Sequence, residues 1–222
     1  MRTVLREDHE QFRTQVRRFV EREIVPFHAQ WEDEGRVPPS LWRAAGEAGL
    51  LLTTLPPPHG MGGDFGHAAV LIEELARVNA TAVGFSLHSE VVAPYLQAYG
   101  TDEQRDRWLP GMAAGTCIGA IAMTEPDTGS DLKSIRTNAR REGDHYILSG
   151  QKTYISNGFN AGLVVVVAKT DPQAGGKGVS LLVVEDGMPG FSRGKALKKI
   201  GLRGQDTAEL FFDQVRVPVA HR

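Results

Sequence analysis

Apolar residues recur at steps of three to five through EDHEQFRTQVRRFVEREIVPF, at Phe12, Val16, Phe19 and Ile24. That spacing lays one apolar stripe along a helix, and Pro26 is placed to end or bend it. After VPPS, Ser40 is a candidate cap for a second helix through LWRAAGEAGLLL. FGHAAVLIEELARVNATAVGFSLHSEVVAPYLQAYG then predicts two long apolar-rich helical stretches, broken near Asn79 and Ala80. Thr101, Asp102 and Glu103 start a short amphipathic helix that carries Trp108 and Leu109.

From Ile118 the period changes. DHYILSGQKTYIS, opening on the Asp144 of the turn Glu142-Gly143-Asp144, alternates as a half-buried strand does. LVVVVAK, Leu163 to Lys169, is a continuous β-branched run, the pattern of a strand buried on both faces. GVSLLVVE and AELFFDQVRVP continue in the same vein, separated by Gly-rich or Pro-containing turns. The expected fold class is therefore α+β. An all-α helical domain occupies residues 1–115, and an antiparallel β domain occupies residues 116–222.

Composition narrows the classes. With 222 residues, 41% hydrophobic and 23% charged, the chain is an ordinary globular sequence able to bury a core. A net charge of −2 gives no basic field to bind nucleic acid or an anionic membrane. No apolar run approaches the ~20 residues of a bilayer span, so no stable membrane insertion is expected. The single cysteine, Cys117, excludes an internal disulfide framework and fits a reducing compartment. MRTVLREDHE lacks a signal-peptide core and is acidic early. The expected location is the cytoplasm, with a mature mitochondrial matrix protein as the alternative.

Several chemistries find no support. HGMGGDFG, His59 to Gly66, lacks the G-x-G-x-x-G spacing and lies outside any βαβ unit, so it reads as a flexible helix–helix connection. No phosphate-binding loop, H-E-x-x-H or paired cysteine is present, and the seven histidines show no ligand spacing, so no metal site is expected.

Two stretches carry candidate chemistry. In AIAMTEPDTGSD, Ala120 to Asp131, a short apolar run is followed by hydroxyls, carboxylates, proline and glycine. A Gly-Ser-Asp after a strand is by itself a turn. The same residues also suit a bound anion or a heteroaromatic ring. Gly129 lets backbone N–H groups approach closely, Thr124 and Ser130 supply neutral hydroxyl donors, and Pro126 stiffens the entry. In GQKTYISNG, Gly150 to Gly158, strand alternation puts Lys152, Tyr154 and Ser156 on one face. An aromatic ring beside a hydroxyl is a wall for a flat cofactor, although a lone Tyr154 also reads as a core residue.

Together AMTEPDTGSDL, GQKTYISNG, KKIGLRGQDTAELFFDQVRVP and the N-terminal GLL…GGDFG…EELARV resemble the acyl-CoA dehydrogenase family, in its order and spacing over essentially the whole chain. The last of the β stretches is most similar to the long-chain branch. The resemblance implies a flavoprotein whose middle domain is β-barrel-like and holds FAD without a Rossmann fold. It implies that Ile121, Ala122, Met123, Thr124, Gly129 and Ser130 line the flavin, with Ser130 also neighbouring the acyl-CoA. Tyr154 would flank the ring, Ile155 would lie beside it, and Ser156 would bring a hydroxyl near N5. Tyr154 and Ser156 stand where many members carry Trp and Thr, and Pro126-Asp127-Thr128 stands where Pro-Gly-Ala is frequent. The implied reaction is α,β-dehydrogenation of an acyl-CoA thioester in fatty-acid β-oxidation. Electrons pass to an electron-transfer flavoprotein, and the protein is a homo-oligomer, tetrameric in full-length form. The family's catalytic glutamate lies on a C-terminal helical domain, expected beyond Arg222, so no catalytic residue is assigned, and Glu125 reads as holding the loop. The chain alone is thus expected to be inactive, with helices near Val83–Tyr99 and the β face near Tyr154 partly uncovered. Two other readings stay open: a non-catalytic flavin- or acyl-CoA-binding subunit, and an acyl-CoA oxidase or flavin monooxygenase-like relative.

Overall fold

The computed structural model describes residues 4–222, so Met1–Thr3, part of the stretch read above as lacking a leader, lie outside the described residues. The chain divides into two units. One runs to Ile118 and takes back Lys198–Asp206, and the other comprises Gly119–Leu197 and Thr207–Arg222. The return of Lys198–Asp206 has no signature in the local sequence pattern. It is fixed by backbone donors: the N–H groups of Arg203 and Gly204 each reach the Glu32 carboxylate at 3.0 Å.

In the helical unit, α1 (Glu7–Phe19) buries Phe12, Val16 and Phe19. Acidic residues in its first turn and Arg17 and Arg18 in its last complement the helix dipole. A wider π-type turn, Val20–Ile24, buries Ile24 and extends the stripe. The chain then turns at Pro26 and restarts as α2 (His28–Glu34). α3 spans Pro39–Glu47 with Pro38 at its cap, so Ser40 sits inside the first turn and is not the cap. Pro39 explains the shift, because its fixed φ and missing N–H suit the first helical position. α4 spans Phe65–Arg77, and its N-terminus is capped by Asp64, which accepts from the Gly66 N–H at 2.9 Å. Asn79, at φ 54°, makes the expected break. The stretch after it is not one long helix, for a π-type turn at Leu87–Val92 precedes the short α5 (Ala93–Tyr99). α6 (Asp102–Ala113) starts where expected, with the Thr101 hydroxyl as cap and Trp108 and Leu109 buried.

The second unit is an open, curled sheet. Its strands are β1 (Gly119–Ala122), β2 (Asn138–Glu142), β3 (His145–Ser156), β4 (Leu163–Lys169), β5 (Val179–Glu185), β6 (Phe191–Arg193) and β7 (Thr207–Pro218). They lie in the order β1-β4-β2-β3-β7-β6, with β5 paired to β4. Most pairs are antiparallel as expected, but the sheet is mixed: β1 runs parallel to β4, and β2 meets β4 in parallel at Asn138 and Lys169. Two intervening strands give the chain the length to bring β4 alongside β1 in the same direction. β4 is buried from Leu163 through Ala168. Val164, Val166, Leu182, Val184, Leu210 and Phe212 belong to the core it supports. Among the described residues no helix is long and apolar enough to cross a membrane.

Candidate functional site

β1 ends at Ala122, and the chain leaves the sheet as the loop Met123–Asp131. Glu125 and Thr128 exchange both backbone hydrogen bonds, at 2.8 and 3.1 Å, which closes a tight turn around Pro126 and Asp127. Asp127 pairs with Arg136 at 3.2 Å. Further along, Asp131 accepts from the Lys133 N–H and the Ser134 hydroxyl, turning the chain back toward β2. The returning segment then closes on Glu125, whose carboxylate accepts from the Arg136 N–H at 2.6 Å and the Thr137 N–H at 3.0 Å.

Lys152 completes this hub. Its Nζ donates to Glu125 Oε1 and to the Met123 carbonyl, each at 2.9 Å, and its side chain has no solvent exposure. Burial pushes Glu125 up, but the Arg136 amide, Thr137 and Lys152 outweigh it and leave the carboxyl below its usual range. Burial holds Lys152 below the usual lysine range, and Glu125 offsets part of that effect. One further bond ties the loop to β3: the Thr153 N–H donates to the Thr124 carbonyl at 2.9 Å.

Strand alternation does not survive here. Lys152 and Thr153 are both buried, whereas Tyr154 is 68% exposed, so Lys152 and Tyr154 do not share a face. The reason is a register shift against β7 between Lys152 and Ile155, with Tyr154 at φ 57°. The same irregularity turns the Tyr154 ring outward beside the half-buried Ser156, so it is not a core tyrosine. Thr124, Met123 and Ile121 are half-buried, while Gly129 and Ser130 are exposed. Open space lies over Gly129, where an added Cβ would meet no heavy atom within 4 Å. Ala122 and Ile155 belong to the sheet core, so their side chains point into the sheet packing and not toward the loop surface.

In the helical unit, His9 and His67 lie edge to face at 4.6 Å beside Asp8, a juxtaposition their sequence separation hides. Arg6 bridges Asp8 and Asp64, and His9 Nε2 lies 2.8 Å from Asp64, so one guanidinium already pairs with both carboxylates. HGMGGDFG is the connection expected, but its Asp64 is an anchor that the sequence reading missed.

Residues 6–116 match the acyl-CoA dehydrogenase N-terminal domain, and residues 120–215 match the middle domain of the same enzymes. The chain belongs to the acyl-CoA dehydrogenase family. It is 49% identical to the mitochondrial long-chain specific acyl-CoA dehydrogenase of Rattus norvegicus, over 99% of this chain and 52% of that protein. An acyl-CoA dehydrogenase structure from Geobacillus kaustophilus superposes with a TM-score of 0.96 at 48% identity, covering 99% of this chain and 58% of that one. A glutaryl-CoA dehydrogenase from Mycobacterium smegmatis in complex with FADH2 gives 0.88 at 32% identity, covering 98% of this chain and 55% of that one. The chain spans about half the length of the curated relatives it matches.

The loop and β3 fit a flavin on their own chemistry. They offer neutral hydroxyls at Thr124, Ser130 and Ser156, open backbone at Gly129, and an outward aromatic ring at Tyr154. Sequence placed Lys152 on the face of Tyr154 and Ser156 but gave it no role, and Thr153 and Thr137 were not among the residues expected at the site. The available signal was a lysine inside an apolar strand, with an acid beside a proline in the preceding loop to pair with it.

Proposed function

We propose that this chain carries the FAD-holding part of an acyl-CoA dehydrogenase, with a long-chain acyl-CoA thioester as substrate. The observation behind the reading is Tyr154: a large aromatic residue in left-handed backbone, mostly exposed, at the bulged end of a strand pinned to a hydroxyl-bearing loop. Such a conformation is unfavourable for a bulky residue and is retained where a site needs it. In this reading Ile121, Ala122, Met123 and Thr124 line the ring, with Ala122 contributing backbone. Tyr154 flanks the ring, with Ile155 and Ser156 beside it. Gly129 and Ser130 receive the pyrophosphate, and Ser130 also meets the acyl-CoA. The chemistry supplied by bound FAD is acceptance of the substrate's β-hydride, for delivery to an electron-transfer flavoprotein.

The cradle's own carboxylates do not act as the α-proton base. Glu125 is committed to two amides and Lys152, and Asp131 to the turn it caps. No base is assigned among these residues. Exposed Phe65, Val91 and Tyr99 in the helical unit support a homo-oligomeric assembly, a tetramer by family. The lone Cys117 supports a reducing compartment, cytoplasm or mitochondrial matrix.

The test is a visible titration with FAD, followed by anaerobic addition of a long-chain acyl-CoA. Bound yellow flavin is the expected result. Failure to retain FAD would sink the cofactor assignment, and bleaching by the thioester would show that a base is present after all.

A further inference from the structure

The Lys152–Glu125 pair does more than close a loop, because Lys152 also holds a backbone carbonyl. A trans peptide is planar, so the carbonyl of one residue and the N–H of the next point in opposite directions. Lys152 Nζ draws the Met123 carbonyl inward at 2.9 Å. The Thr124 N–H, on the far side of the same peptide, must therefore point away from the buried ammonium. The following peptide is fixed independently, since the Thr124 carbonyl accepts from the Thr153 N–H and the Glu125 N–H donates to Thr128. The orientation of the Met123–Thr124 peptide is thus set from behind by a charged side chain, itself held by a carboxylate that three donors keep in place.

We propose that Lys152 is a positioning residue for the flavin: by anchoring the Met123 carbonyl inward it aims the Thr124 N–H outward, as a hydrogen-bond donor to the bound ring. The role rests on the cofactor assignment above. A charged anchor suits it, since charge-assisted hydrogen bonds are shorter and stronger than neutral ones. Glu125 serves as counter-charge and spacer, so the two residues act as one unit.

The experiment uses the whole chain with two variants. Lys152→Met keeps length and volume but cannot donate. The double variant Glu125→Gln with Lys152→Met also removes the carboxylate that the single change leaves unpaired, so it remains informative if the single variant fails to fold. Amide NMR of the apoprotein and FAD titration are read side by side. In the folded variant the Thr124 amide resonance is expected to shift, and the FAD dissociation constant to rise at least tenfold with an altered visible spectrum. A variant that folds and binds FAD with unchanged affinity and spectrum overturns the role. If the unaltered chain does not bind FAD, the cofactor assignment fails and the flavin role falls with it. An unmoved Thr124 amide in the apoprotein shows separately that Lys152 does not set the peptide.

Discussion

Arg17 grips Glu74 with two parallel bonds, Nε to Oε2 and Nη2 to Oε1, each 2.9 Å long. Arg13 and Arg77 add one bond each to the same carboxylate, which is 1% exposed. Arg17 above all, with burial opposing and Arg13 and Arg77 reinforcing, holds Glu74 at about 2. A carboxyl depressed in the folded state contributes stability above its ordinary range, and that contribution is lost as pH falls toward 2. Glu74→Gln is therefore expected to lower stability by about 2 kcal/mol at pH 7, below the full cost of breaking a buried pair because the arginines stay partly solvated. The gap from wild type should narrow at pH 3. Urea unfolding at both values checks this, and a gap independent of pH would refute it.

His88 carries the opposite charge logic. It is fully buried against Trp42, with Nε2–H donating to the Met112 carbonyl at 3.1 Å. Burial pushes the imidazole down to about 4, against the small upward pull of that bond. Between pH 6.5 and 4 the unfolded chain takes a proton that the folded one refuses, so stability falls with pH across that window. The loss from pH 7 to pH 5 should be about 2 kcal/mol. His88→Gln keeps a donor without titrating, and denaturation at the two pH values should show the variant losing correspondingly less.

Much of this architecture was legible because it is local. The stripe Phe12-Val16-Phe19, the Thr101 cap and the all-apolar β4 are properties of neighbouring residues, and each formed where the pattern placed it. What escaped depends on partners distant in sequence. Ser40 lost the cap to Pro38 and Pro39, Lys198–Asp206 joined the helical unit through Glu32, and β1 paired in parallel with a strand that two others precede. In the candidate site the loop was readable from its composition. The inward turn of Lys152 was not, because one bulge cancels the alternation that put it on one face with Tyr154 and Ser156.

Gly150 marks the other irregularity of β3. The register against β7 shifts between Leu148 and Gly150, and Gly150 has φ 152°. An added Cβ would lie 2.4 Å from Thr137 Oγ1 and 2.7 Å from its Cα. Thr137 cannot yield freely, since its amide is one of the donors holding Glu125. Gly150→Ala is expected to destabilise the chain by about 2 kcal/mol and to speed hydrogen exchange at the Thr137 amide. An unchanged urea midpoint would show that the contact relaxes at no cost.

Tyr154 separates a demand of the fold from a demand of function. Its left-handed backbone costs a non-glycine residue about 1–2 kcal/mol, and its 68% exposure returns little packing. Glycine would relieve that strain while adding freedom to the unfolded chain, worth about 0.5–1 kcal/mol the other way. Tyr154→Gly should therefore leave the apoprotein as stable as before, or more stable by up to about 1 kcal/mol. Its FAD affinity should drop at least tenfold through loss of the aromatic wall, whereas Tyr154→Phe should keep both properties near wild type. Thermal melts of the apoproteins and FAD titrations of the same samples give the two readings. A glycine variant that melts earlier yet binds FAD normally would make Tyr154 a residue of the fold, and the strain at β3 would then have a purely structural cause.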